Sequence, residues 1–171
     1  MVDEFTSTGE SVVDETALEA EIPITIKVVG SAMVGGLAGM LLMVPVLVGV
    51  PIVFDLFRTE PLVNFATFLS YVGFEQSVTL GAALFVATGA TVLPLTFVVV
   101  GGFLPPKEPR YLRGVTFATI FWTGFVPAFW PDGSVAVVAV FLVVSLLAHW
   151  VYGLVLGRVL DGPTGIPQHD V

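Results

Sequence analysis

The residue of this sequence best placed to do chemistry is His149, an imidazole inside the charge-free run from Ser134 to Gly157. The nearest charge, Arg158, lies nine residues on, roughly 13 Å along a helix, which puts the ring within hydrocarbon if the run spans a membrane. Ionisable groups at that depth are candidate functional sites. Positions 149, 153 and 157 recur every four residues, so His149 shares a helical face with Gly153 and Gly157 and should look toward a neighbouring helix. Tyr152 brings a phenol to the same stretch, and Ser31, Thr91 and Ser145 are the other polar kinds within reach.

Three roles for His149 stay open: an interhelical hydrogen bond from a neutral ring, a proton-relay or quinone contact, and haem or copper ligation. The last needs further ligands, and the other histidine, His169, lies in the C-terminal tail. No metal site is expected. No catalytic residue and no resident cofactor are expected either, a haem or quinone contact at His149 being the alternative. The chain has no cysteine, which removes thiolate metal sites, cysteine nucleophiles and disulfides. Paired intramembrane carboxylates, HExxH and a phosphate-cradling glycine loop are also missing.

The elements that must position His149 are set by hydropathy. Of the 171 residues 56% are hydrophobic and 12% charged, and the mean hydropathy is +0.97, so lipid is the solvent for most of the chain. A span needs ~20 apolar residues. Four charge-free runs approach or exceed that length, at 28–54, 76–104, 114–130 and 134–157, predicting an all-α integral membrane bundle of four transmembrane helices within residues 27–158. Segment 61–74 is too short and polar to span; Asn64, Thr67 and Ser70 recur every three residues, which suits a short interfacial or re-entrant helix. Residues 1–26 form an acidic tail holding Asp3, Glu4, Glu10, Asp14, Glu15, Glu19 and Glu21, expected to be disordered. Residues 159–171 form the C-terminal tail. The net charge of −8 argues against nucleic acid and suits a salt-adapted, halophile-like organism.

Small residues should mediate helix packing, because lipid tails leave little hydrophobic gain between helices. Ser31, Gly35 and Gly39 mark such a face in the first span, Ala83 and Ala87 (with Thr91) in the second, Gly153 and Gly157 in the fourth. Pro45, Pro51 and Pro94 should bend their helices. Orientation follows from Lys27, Lys107, Arg110, Arg113 and Arg158 on one side against Arg58 on the other. That bias predicts a multi-pass protein of the cell membrane with both termini cytoplasmic. Asp55 and Arg58 could pair at the outer end. Trp150 and Tyr152 read as interfacial rings near the inner end of the fourth span.

The stretch His149-Trp150-Val151-Tyr152-Gly153-Leu154-Val155-Leu156-Gly157 resembles an H-x-x-Y-G-x-x-x-G signature in a family of small four-helix membrane proteins of unassigned function, found in bacteria and salt-adapted archaea. Gly35-Gly36-Leu37-Ala38-Gly39 and Met43 are similar to that family's first span. The resemblance implies four spans and singles out His149 and Tyr152. Some relatives are similar to small companions of terminal oxidases. The expected function is therefore a non-catalytic membrane subunit or assembly companion of a respiratory complex, partnered by the bilayer and other membrane subunits. The alternative is a small proton-sensitive channel or carrier with His149 in its path.

Overall fold

The computed structural model describes residues 24–53 and 58–167, and these form helices joined by short turns. Helix α1 (Ile26–Val53) is followed by α2 (Glu60–Ser70), α3 (Val78–Ala90), α4 (Val92–Val100), α5 (Arg113–Ala128) and α6 (Val135–Thr164). Single 3-10 turns, Gly101–Phe103 and Arg110–Leu112, lie between α4 and α5. Three segments are long and apolar enough to cross a membrane: Ile26–Gly49, Val78–Phe103 and Val135–Thr164. Helix α5 has 16 residues, about 24 Å of rise against ~30 Å of hydrocarbon. The acidic tail before Ile24, and Asp55 with its pairing to Arg58, lie outside the described residues.

Local chemistry sets the helix ends. Ser77 and Ser134, both in extended backbone, accept from the N–H groups of Leu80 and Val137 and so cap α3 and α6. Gly133, at φ 150°, makes the turn before Ser134. The second predicted span is broken at Thr91 into α3 and α4. Pro94 has no N–H to give the Ala90 carbonyl and crowds the preceding turn. By contrast α1 stays one helix through Pro45 and Pro51.

Helix α6 continues past Arg158 to Thr164, so the C-terminal tail begins later than the charge pattern suggested. Leu160 and Ile166 are fully buried. The guanidinium of Arg158 lies 3.7 Å over the Tyr111 ring, so a cation at that position need not end a helix.

Helices α1 and α6 pack antiparallel along most of their length, and α5 lies against α6. A Cβ on Gly35 would touch Leu156 and Val159, and one on Gly39 would come within 2.7 Å of the Tyr152 ring. Ser31 is half-buried one turn earlier. Gly36 sits against the α3–α4 break, facing the Gly89 and Ala90 carbonyls and the Pro94 ring. Gly153 meets the Gly114 backbone and Gly157 that of Tyr111.

Ala83 and Ala87 do not pack: both are exposed. The inner face of α3 is Gly81, Phe85 and Gly89, with Gly81 on the Leu62 carbonyl and Gly89 on Met40. These residues have the same four-residue spacing but lie about 200° around the helix from the alanines. Spacing alone could not separate the two faces.

The cations sort to the ends of the bundle. Lys107, Arg110, Arg113 and Arg158 share an end with Lys27 at the start of α1, because α1 and α6 run antiparallel. At the opposite end Arg58 pairs with Asp132 at 3.4 Å and Glu60 at 3.6 Å, and donates to the Trp130 carbonyl. That contact ties α2 to the α5–α6 turn. Asn64 is exposed, away from the core face formed by Leu62 and Ala66, whereas Thr67 and Ser70 are half-buried and Ser70 donates to the Thr67 carbonyl.

Candidate functional site: a cavity at His149

Where α5 lies against α6, His149 is only 6% exposed. Its Nδ1 is 2.8 Å from the Ser145 carbonyl, one turn back on the same helix. A carbonyl oxygen can only accept, so Nδ1 carries the proton and donates. This bond lies within α6 and does not reach a neighbouring helix. The ring also packs on Phe125 of α5, with centroids 4.9 Å apart.

Ser145 links the two helices by its other oxygen. Trp122 of α5 donates its indole N–H to Ser145 Oγ at 2.9 Å, and that hydroxyl donates to the Leu142 carbonyl at 3.3 Å. A second tie runs from the Trp150 indole to Thr119 Oγ1 at 3.0 Å. Trp150 therefore acts as a helix clasp as well as a surface ring. Nothing in the sequence pairs Trp122 with Ser145 or Trp150 with Thr119, because each partnership depends on the register between α5 and α6.

Tyr152 is buried at 2% exposure and not interfacial. Its hydroxyl donates to the Gly89 carbonyl at 2.7 Å, joining α6 to the last turn of α3. The glycine of α1 beneath it, Gly39, leaves room for the ring.

His149 and Tyr152 line one cavity of about 350 Å³. Its wall is formed by Met40 and Met43 of α1, Pro61 and Phe65 of α2, Phe85, Thr88 and Gly89 of α3, Leu93 of α4, and a face of α5 from Phe117 to Phe129. Met40 and Met43 are buried here. Apart from His149, Tyr152 and Thr88, the wall is apolar and largely aromatic. Phe85 bridges toward α5 by its contacts with Phe125 and Phe129, at 6.5 and 6.2 Å. Phe121, Gly124 and Ala128 are exposed on the outer side of α5 and line the cavity as well, so it opens laterally at the level of the helices.

Arg113, read from sequence as topogenic, has a structural task. It is 5% exposed and donates to the carbonyls of Pro106 at 3.0 Å, Lys107 at 3.2 Å and Gly102 at 3.3 Å. One planar guanidinium thereby holds the loop between α4 and α5. Thr116 adds a bond to the Pro105 carbonyl at 2.6 Å. Among the described residues no group of three His, Cys, Asp or Glu side chains gathers in a form that could hold a metal ion.

No curated protein and no solved structure matches this chain. Residues 26–171, which include every helix described above, match a family of unknown function, DUF6789. The chain belongs to that family.

Proposed function

We propose that the protein is a non-catalytic, four-span component of the cytoplasmic membrane, with both termini inside, whose cavity holds an apolar molecule taken from the bilayer. The observation that carries this reading is the 350 Å³ space at His149, walled by phenylalanine and open at the side. Cavities of this size suit small ligands when a few polar groups converge on an apolar wall. A hydrated path would need polar lining along its length, so holding is favoured over the channel or carrier alternative.

Saturable uptake of an alkylbenzene by the protein in lipid nanodiscs tests the cavity. Uptake should vanish in Gly124→Leu, whose side chain would enter the space, while the thermal midpoint is retained. Failure of the wild type to take up the probe above empty nanodiscs would end this reading.

The spanning role of α5 and the orientation are tested by single cysteines, since the chain has none of its own. Lys107→Cys should label from the cytoplasmic face and Asp132→Cys from the other. A second reading, docking to other membrane subunits, is favoured by the exposed Ala83 and Ala87 face of α3, where a helix could approach closely. A mild-detergent pull-down recovering respiratory subunits at fixed stoichiometry would support it, and recovery of the chain alone would not.

A further inference from the structure

We infer that the occupant of the cavity is a hydroxyl-bearing ring compound, an apolar phenol or alcohol, whose O–H donates to Nε2 of His149. This rests on the cavity reading above and names the chemical class that the site selects.

His149 donates from Nδ1 to the Ser145 carbonyl, so in the neutral ring Nε2 carries a lone pair and can only accept. The side chain is more than nine-tenths buried, lines the cavity, and among the described residues Nε2 has no hydrogen-bond partner. A buried acceptor left unmatched is unfavourable, so a donor in the cavity gains by meeting it.

Of the two hydroxyl donors on the wall, one is committed elsewhere. The Tyr152 hydroxyl donates to the Gly89 carbonyl. Thr88, half-buried on α3, is the remaining hydroxyl of the lining, and a hydroxyl can accept as well as donate. At Nε2 the site therefore offers an acceptor and no donor. A ligand with only carbonyl or ether oxygens would face the Nε2 lone pair with a lone pair of its own; a hydroxyl would not. Phe85, Phe117, Phe121 and Phe125 on the wall favour a flat ring as the body of the molecule. Exposure of Phe121 and Gly124 puts the access route on the flank of α5, where a lipid-soluble molecule arrives without leaving the membrane.

The test compares para-butylphenol with its methyl ether, which lacks the phenolic proton. Both are titrated into the full-length protein in nanodiscs, with binding corrected for partition into empty nanodiscs. The phenol should bind at least about tenfold more tightly, the equivalent of one good hydrogen bond. In protein carrying 15N-histidine, which reports only His149 and His169, the unprotonated ring-nitrogen signal of His149 should move upfield with the phenol and stay with the ether. His149→Leu should lower phenol binding to the level of the ether and leave the ether unchanged.

Equal binding of the two probes, or tighter binding of the ether, overturns the hydroxyl assignment while leaving the cavity reading intact. Saturable binding of neither probe overturns both. If His149→Leu fails to fold, the nitrogen signal of the wild type still decides: a bound phenol that leaves it unmoved refutes the proposal.

Discussion

The two halves of α5 meet the rest of the bundle in opposite ways. Near its start, Gly114 faces Gly153 so closely that a Cβ on either would collide with the other's backbone carbonyl, and Ala118 would lie 2.7 Å from a Cβ on Gly153. Further along, Phe121, Phe125 and Phe129 line the cavity, across which the helix stands off from α3. Gly124, in this second half, has nothing within 4 Å of where its Cβ would be. Glycine lets backbones touch, whereas stacked phenylalanines such as Phe125 and Phe129, 4.3 Å apart, act as spacers. Close packing near the start anchors α5 to α6, and the Trp122–Ser145 bond keeps the second half on α6 while it stays apart from α3.

Gly153→Leu attacks the anchored half and should have the largest effect. A leucine against the Gly114 carbonyl forces the helices apart, destabilising by about 3 kcal/mol or more, as read by unfolding in mixed micelles. Full stability in that variant would show that the two halves are not packed differently. Arg113→Ala leaves the carbonyls of Gly102, Pro106 and Lys107 without their shared donor. Stability should fall by about 2 kcal/mol, and limited proteolysis should then cut between α4 and α5. Arg113→Lys should recover only part of this, because an ammonium lacks the planar fork.

Tyr152→Phe sits at the border of the two regions and removes one hydrogen bond, to Gly89. The expected loss is about 1 kcal/mol, in the range for polar contacts between membrane helices. At the small end, Gly124→Leu should change stability by no more than about 0.5 kcal/mol, yet abolish ligand uptake by filling the cavity. A large destabilisation there would mean that the space closes in the membrane.

Much of this comparison was hidden from sequence reasoning. Glycine-rich faces were legible in α1 and α6, because Gly35, Gly39, Gly153 and Gly157 recur at helical spacing in apolar runs. In the second span the same spacing pointed to Ala83 and Ala87, whereas Gly81 and Gly89 face inward. His149 stood out by type and depth. Its donation back to Ser145 did not, because a carbonyl four residues earlier competes with any acceptor on another helix. Arg113 looked like one member of a topogenic cluster, and its burial depends on how the loop from Gly102 to Lys107 folds over it.

By itself the sequence determined the solvent, the helical class and the sorting of charge. These follow from composition and from the length of charge-free runs, which respond to the bilayer and not to neighbours in the fold. It also placed one imidazole inside an apolar segment long enough to cross a membrane. Only the tertiary structure decided where the second span breaks, which face of α3 is buried, and that Tyr152 bonds across to Gly89. The cavity at His149 belongs to the same group. Helix register and separation are set jointly by side chains on several elements, from Pro61 on α2 to Tyr152 on α6, and no local pattern carries that information.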